Sequence, residues 1–163
     1  SPPAAASKPQ LRAVPAPPVT ETGIYEYEDK SIWMGDLRNG LPNGKGQMKL
    51  ANGDEYEGEM RNGEMHGKGI YTWKEGHRYE GYFVSNHRVG RGKLTYAEGD
   101  VFEGNFDRDV RSGLGTHKFA NGCLYEGEWK NDNFHGEGRF IFGDGQICEG
   151  EFERSRWVAG EAK

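Results

Sequence analysis

The chain has 163 residues, a formal net charge of −5 and 26 glycines, well over twice the glycine content of about 7% that average usage gives. Hydrophobic residues make up 34% and aromatic residues 12%. This composition excludes a leucine-rich helical bundle, and the aromatic content argues against disorder, because disordered chains are poor in Trp, Tyr and Phe. We therefore predict an all-β protein with many tight turns and an aromatic core.

The charge and the cysteines exclude several classes of function. A pI near 5.6 argues against nucleic acid as a partner, because phosphate binding needs a basic surface. Cys123 and Cys148 are the two cysteines, too few for a disulfide scaffold or a zinc site. No apolar run reaches the length of a membrane span. We expect a cytoplasmic protein, with association with the cytoskeleton or a membrane as the alternative.

The chain opens with a segment rich in Pro and Ala, residues 1–22, in which six of the seven prolines lie. Such a composition favours extended or polyproline II conformation and cannot bury a core. We predict an extended arm or linker. The alternative is that Pro15–Pro18 docks into an aromatic groove, in this molecule or in a partner.

From residue 33 onward the sequence repeats every 23 residues. Most of the glycines fall in four phases of this period, and each repeat starts at an equivalent position: Trp33, Tyr56, Tyr79, Phe102, Tyr125 and Cys148. A constant period of this length indicates a repeat architecture. In the repeat 56–78, YEGEM and GIYTW alternate apolar and polar residues, as half-buried strands do, and the segments between them are rich in turn residues.

The pattern of faces selects the type of hairpin loop. A three-residue loop that ends in Gly53 places Met48 opposite Tyr56 and Gly46 opposite Gly58, and it keeps the apolar side chains on one face. A two-residue turn would mix apolar and acidic residues. The facing glycines are then expected to form the floor of a channel walled by aromatic side chains.

The segments YEGEMRNGEMHGKG and YEGEWKNDNFHGEG resemble MORN repeats (membrane occupation and recognition nexus). The resemblance covers a half repeat at 23–32, full repeats at 33–55, 56–78, 79–101, 102–124 and 125–147, and a partial repeat at 148–163. It implies an elongated, single-layer antiparallel β-meander of about eleven or twelve strands, one hairpin per repeat. It also implies a scaffold or adaptor, since some relatives pair end to end and others hold a peptide in an aromatic groove.

The sequence departs from the family pattern in places. Residues 87–90 and 110–113 lack the His before Gly, and Ala159 and Glu161 stand where Gly is expected. An open edge at the last strand would invite pairing with another chain, so a homodimer is one expectation.

The predicted partner-binding groove consists of the aromatic and apolar side chains on one face of the sheet. A single layer cannot cover this face completely, and exposed apolar patches commonly mark binding sites. The groove residues are Tyr56, Met60, Tyr71, Trp73, Tyr79, Phe83, Tyr96, Phe102, Phe106, Tyr125 and Trp129. Structural packing alone is the alternative for them.

The opposite face is predicted to carry a ladder of glutamates, one per repeat from Glu57 to Glu149. Cross-strand ion pairs or recruitment of a basic peptide could explain this ladder. A local group of basic residues offers contacts for an anionic lipid, as a peripheral membrane module would need. These residues are Arg78, Arg88, Arg91 and Lys93.

No sequence pattern of a catalytic or metal site occurs. The chain has no nucleophile elbow, no HExxH and no CxxC, and its GxG strings lead into strands, not helices. His66 and His135 lie three repeats apart and cannot share an ion. We therefore expect a non-catalytic protein without a metal or cofactor, which binds a partner protein or peptide, a second copy of itself or an acidic phospholipid.

Overall fold

A computed structural model describes residues 15–16 and 19–163 as one sheet of thirteen antiparallel strands, arranged in the order of the sequence. The strands are β1 (Thr20–Glu26), β2 (Ile32–Arg38), β3 (Leu41–Lys49), β4 (Glu55–Arg61), β5 (Glu64–Thr72), β6 (Arg78–Val84), β7 (His87–Thr95), β8 (Val101–Asp107), β9 (Val110–Lys118), β10 (Leu124–Lys130), β11 (Asn133–Ile141), β12 (Ile147–Glu153) and β13 (Arg156–Ala162). The predicted all-β meander with one hairpin per 23-residue repeat is confirmed. These described residues contain no helix, and hence none that could span a membrane.

The predicted N-terminal arm lies largely outside the described residues, which omit 1–14 and 17–18. Strand β1 begins at Thr20, inside the segment predicted as an arm, and pairs with β2 along its whole length. Docking of Pro15–Pro18 into a groove stays a prediction.

Two kinds of connection alternate along the sheet. Short turns such as Asn39-Gly40 have positive φ at both residues, 51° and 79°, as in the type I′ turns whose twist matches that of paired strands. We call the side of the sheet that carries these turns the turn side. The opposite, loop side carries three-residue loops such as Ala51–Gly53, which ends in Gly53 at a φ of 95°.

The predicted register of the loop-side hairpins is confirmed. Met48 lies opposite Tyr56 and Gly46 opposite Gly58. The Leu50 amide donates to the Asp54 carbonyl over 2.9 Å, and the Gly53 amide donates to the Leu50 carbonyl over 3.0 Å. A left-handed residue at the end of the loop closes both bonds, and glycine adopts that conformation without steric cost.

The core lies on one face of the sheet, which we call the aromatic face because the first residue of each full repeat points there. These residues, Trp33, Tyr56, Tyr79, Phe102 and Tyr125, are almost completely buried. Their rings are inclined over the paired glycines: a Cβ added to Gly92 would lie 2.5 Å from Cε2 of Tyr79. The expectation of glycines as the floor of a channel is therefore wrong, because the rings fill that space.

Each turn also binds the preceding repeat. The Asn86 amide donates to the Met65 carbonyl over 3.0 Å, and the Asn86 Oδ1 accepts from the Met65 amide over 2.8 Å. The same two bonds join Asp109 to Arg88 and Asp132 to Arg111. Successive repeats are thus joined at the turn side by hydrogen bonds in addition to the sheet ladder.

Residues 148–163 form two strands, β12 and β13, so the count of thirteen exceeds the eleven or twelve expected. The last hairpin has one bulged residue fewer than the equivalent hairpin of β10 and β11. This shift places Gly160 opposite Gly150, and Gly160 therefore takes the role for which glycine was expected at 159 or 161.

Candidate functional site

The structure divides the eleven predicted groove residues into two groups. Eight of them are buried in the core of the aromatic face and offer no surface: Tyr56, Met60, Tyr79, Phe83, Phe102, Phe106, Tyr125 and Trp129. Tyr71, Trp73 and Tyr96 are half-buried. The accessible part of the predicted groove is therefore confined to these three side chains and their neighbours.

A row of half-exposed aromatic residues runs along the loop side of the aromatic face. Trp73 and Tyr96 hold the same position in successive repeats, and Phe119 and Phe142 continue the row, with Phe142 41% exposed. Each member starts a loop that leads into the next strand. The 23-residue spacing of these four residues is the sequence signal that identifies the row.

A cleft of about 240 Å³ separates this row from the turn side. We call it the Trp73–Tyr96 cleft. Its lining residues are Trp73, His77, Arg88, Leu94, Tyr96, Phe106, Asp109, Arg111 and Asp132. Aromatic rings form the loop-side wall, and two arginine–aspartate pairs form the turn-side wall.

Arg88 is held rigidly in the first of these pairs. Its backbone amide and its Nε both donate to Asp109 Oδ1, over 2.9 and 3.2 Å, and its Nη2 donates to the Asp109 carbonyl over 3.0 Å. The guanidinium carbon lies 5.5 Å from the ring centre of Trp73 and 5.2 Å from that of Phe106. The group is thus both ion-paired and enclosed by aromatic rings, an arrangement that favours a cation.

Arg111 repeats this arrangement one repeat later. Its Nε donates to Asp132 Oδ1 over 3.1 Å and its Nη2 to the Asp132 carbonyl over 2.9 Å. The guanidinium carbon lies 4.7 Å from the ring centre of Trp129. The side chains of Arg88 and Arg111 are 20% and 18% exposed, so each presents a narrow edge to the cleft.

Sequence reasoning assigned Arg88 to a lipid contact and missed Arg111. The signal lies at the tenth position of the repeat, which is apolar in neighbouring repeats: Pro42, Met65 and Phe134. All three point into the aromatic face, where Pro42 and Met65 are buried and Phe134 stacks on Tyr125. Two arginines in this inward position indicate a specialised stretch of the array.

The other predicted lipid contacts do not join Arg88. Arg91, Lys93 and Arg78 alternate with inward residues of β6 and β7 and lie on the opposite face, which we call the acidic face. Lys93 Nζ lies 3.9 Å from Glu103, and an Arg78 Nη2 lies 4.0 Å from Glu80. The four basic side chains are thus divided between two faces, and lipid binding by them stays a prediction.

The acidic face carries the predicted glutamate ladder with some cross-strand partners. Arg139 lies between Glu126 and Glu149, at 3.7 and 3.9 Å. Exposed pairs of this kind contribute little, typically less than about 1 kcal/mol each. Among the described residues, no cluster of three or more His, Cys, Asp or Glu side chains is arranged to hold a metal ion.

A buried histidine lies beside the cleft. His117 Nε2 lies 3.0 Å from Asp100 Oδ2, and Arg111 Nη1 lies 3.5 Å from His117 Nδ1. With a carboxylate at one nitrogen and a guanidinium at the other, the favoured form is the neutral ring that donates from Nε2. Burial lowers the pKa of His117 below its ordinary value, although Asp100 opposes this effect.

His117→Leu should flatten the pH dependence of stability. Because the folded state takes up a proton at His117 less readily than the unfolded state, stability is expected to fall as the pH drops below about 6.5. Leucine is the residue at the equivalent position of the preceding repeat, Leu94. Urea denaturation at pH 7, 6 and 5 measures the effect.

The matched control is His66→Gln, because the His66 side chain makes no hydrogen bond with a described residue. This variant should keep the slope of the wild type. An unchanged slope in His117→Leu would contradict the assignment of the pH dependence to His117.

Among solved structures, the chain is similar to the TCP domain of SAS-4 (dCPAP) of Drosophila melanogaster, solved in complex with a proline-rich motif of Ana2 (dSTIL). The two are 14% identical, the match covers 87% of this chain and 85% of that chain, and the TM-score is 0.49. A search of curated proteins finds no match.

The family model of the MORN repeat matches five consecutive segments, residues 33–55, 56–78, 79–101, 102–124 and 125–147. These segments have the same bounds as the full repeats defined by the sequence period. Together they cover well over half of the chain. The chain belongs to the MORN-repeat family.

Proposed function

We propose that this protein is a non-catalytic scaffold or adaptor that binds a partner polypeptide in the Trp73–Tyr96 cleft. One observation carries the proposal. The cleft opens where Trp73 and Tyr96 stay half-exposed, whereas the rings of the first position of every full repeat are buried. The surface that the fold leaves accessible is thus rich in aromatic area.

The residue types of the cleft support protein recognition. Trp, Tyr and Arg are the residues enriched among binding hot spots, and all three line this cleft. The positive charges of Arg88 and Arg111 are balanced by Asp109 and Asp132. A cleft without excess charge suits an uncharged, apolar side chain of the partner.

Arg88 can also orient the partner backbone. Its Nε and Nη2 are bound to Asp109, and its Nη1 makes no hydrogen bond with any described residue. This nitrogen is available for a carbonyl of a peptide that lies across the cleft. Donation from a guanidinium to a carbonyl is among the stronger hydrogen bonds.

The spacing of the aromatic row favours an extended ligand. Successive row residues are two strands apart, about 9 to 10 Å. Three residues of a polyproline II segment span about 9 Å. A peptide running along the row with an apolar side chain at every third position would therefore meet one aromatic residue per repeat.

The double variant Trp73→Ala, Tyr96→Ala should bind such peptides at least tenfold more weakly than the wild type. The physical reason is the loss of two aromatic contacts, each worth about 1 kcal/mol or more at a hot spot. Twelve-residue peptides with apolar residues at every third position are selected on the wild-type protein by display. Fluorescence anisotropy with the selected peptides then measures the dissociation constants.

Leu114→Ala is the matched control, because Leu114 is 67% exposed on the acidic face. It should leave peptide affinity unchanged. Undiminished binding by the folded double variant would reject the cleft as the binding site. Tyr79 and Phe102 are unsuitable for this test, since both are completely buried and their truncation would disturb the core.

Two alternatives stay predictions. Recognition of acidic phospholipids would use Arg78, Arg91 and Lys93 on the acidic face, among Glu80 and Glu103. Self-association would use the end strands β1 and β13. No contact in the described residues favours either alternative over the cleft. A cytoplasmic location likewise stays a prediction.

A further inference from the structure

A carboxylate recurs at one place on the acidic face. In three repeats the side chain of the fourth residue accepts a hydrogen bond from the backbone amide of the thirteenth. The bonds are Lys45 N to Asp36 Oδ2 (3.1 Å), Lys68 N to Glu59 Oε2 (2.6 Å) and Glu137 N to Glu128 Oε2 (2.6 Å). The same intramolecular contact is thus built three times in one chain.

The twelfth residue of the repeat is a glycine that makes room for this carboxylate. A Cβ added to Gly67 would collide with the Glu59 carboxylate, and a Cβ added to Gly44 would lie 2.7 Å from Asp36 Oδ2. At Gly90 an added Cβ meets nothing within 4 Å. The space that a carboxylate fills in those three repeats is therefore open in the repeat 79–101.

The cause is Tyr82, which stands where those three repeats have Asp or Glu. The backbone around it is held in the same way: the Tyr79 hydroxyl donates to the Tyr82 carbonyl over 2.9 Å, as the Tyr56 hydroxyl does to the Glu59 carbonyl over 2.6 Å. The Arg91 amide corresponds to the Lys68 amide. No side chain of the described residues accepts from it.

Two cationic side chains lie beside this slot. Tyr82 lies opposite Lys68 of the neighbouring strand β5. Arg91 belongs to β7, the neighbouring strand on the other side. Lys68 and Arg91 both line a shallow depression of about 440 Å³. Neither side chain forms an ion pair with a described residue. Glu57 and Glu80 line the same depression and balance the two cations. The ligand is therefore selected by the open amide and not by net charge, and a singly charged group is preferred over a doubly charged phosphate.

The repeat 102–124 does not offer a second slot of this kind. Its fourth residue, Asn105, donates from Nδ2 to Ser112 Oγ over 3.1 Å. Its thirteenth residue is Leu114, which brings no charge. At Tyr82 the open space occurs together with an arginine that forms no ion pair with a described residue and with a lysine.

We propose that the Arg91 amide, with the side chains of Arg91 and Lys68, binds a carboxylate from outside the chain, supplied by an Asp or Glu side chain of a bound polypeptide. The three intramolecular carboxylates show the ligand chemistry that this backbone geometry accepts. The exposed ring of Tyr82, 47% accessible, provides an apolar surface beside the charge. The slot is on the face opposite the Trp73–Tyr96 cleft and does not depend on binding there.

The test is a titration followed by the ¹⁵N–¹H resonance of the Arg91 amide. Sodium acetate, replacing sodium chloride at constant ionic strength, should move this resonance downfield in a saturable way. The peptide acetyl-Gly-Glu-Gly-amide should produce the same shift, and acetyl-Gly-Gln-Gly-amide should not. An Arg91 shift that is no larger in acetate than in chloride would overturn the proposal, as would a larger shift with sodium phosphate than with acetate.

Variants at the slot make the test specific. Tyr82→Glu restores the intramolecular carboxylate and should abolish the acetate shift, whereas Tyr82→Phe brings no acceptor, leaves the amide accessible and should preserve it. Glu59→Ala opens the equivalent space in the preceding repeat and should create a new acetate shift at the Lys68 amide. Persistence of the full Arg91 shift in Tyr82→Glu would also overturn the proposal.

Discussion

Gly92→Ala is expected to destabilise the protein by about 3 kcal/mol, a large effect for the addition of one methyl group. The added Cβ would lie 2.5 Å from Cε2 and 2.8 Å from Cζ of Tyr79, whose side chain is completely buried. The ring cannot move away without breaking the hydrogen bond from its hydroxyl to the Tyr82 carbonyl. Urea denaturation followed by tryptophan fluorescence measures the loss.

Gly143→Ala is the control for this prediction. Its added Cβ meets the Asn121 carbonyl at 3.4 Å, an ordinary contact, and its backbone needs no left-handed conformation. We expect a change within about 1 kcal/mol of the wild type. Equal effects of the two substitutions would show that the ring of Tyr79 does not occupy the space above Gly92.

Arg111→Ala should destabilise the protein by about 2 to 3 kcal/mol, whereas Arg111→Met should cost less than about 1 kcal/mol. Alanine removes the side chain that covers the rings of Phe102 and Trp129 and leaves Asp132 without its cation. Methionine restores apolar cover, as Met65 does at the equivalent position two repeats earlier. Asp132 still accepts from the backbone amide of residue 111.

Thermal and urea unfolding of the two variants separate packing from charge. If the ion pair with Asp132 were the main contribution, both substitutions would destabilise equally. Burying an ion pair brings a desolvation penalty that offsets much of its attraction, and for this reason we expect packing to dominate.

At the equivalent pair of Arg88 and Asp109, burial of Asp109 tends to raise its pKa. Hydrogen bonds from the Arg88 amide, His87 and the Arg88 guanidinium prevail and hold the pKa below its usual value.

The sequence predicts the fold well because its signals are periodic and local. The alternation in β4 and the loop that ends in Gly53 determine the register between β3 and β4, since a slip by one residue would turn Tyr56 away from the core. A constant period then extends that register to the remaining full repeats. The last hairpin breaks the period, and the role of Gly160 could not be predicted for that reason.

The site was harder to predict because it depends on how side chains cross the sheet. The alternation of apolar and polar residues shows that Tyr79 and Trp73 share a face, but not that Tyr79 folds over glycines while Trp73 stays accessible. Residue type suggested that Arg88 belongs to the surface, although its position in the repeat is an inward one. The missing information lies in a comparison of equivalent positions between repeats. It shows that Arg88 and Arg111 hold the same position as Met65.

The bonds between each turn and the preceding repeat have a consequence for cooperativity. Each described strand pairs only with its neighbours in sequence. The contacts beyond this ladder are short in range as well: the hydrogen bond from the Tyr27 hydroxyl to the Gly63 carbonyl passes over a single repeat. Bonds such as those between Asn86 and Met65 raise the energy of every junction between repeats. When the interaction between neighbouring repeats is strong relative to the intrinsic stability of one repeat, a linear array unfolds cooperatively in blocks of several repeats. A defect in the middle would then be transmitted along the array, although no described residue there touches either end strand of the sheet.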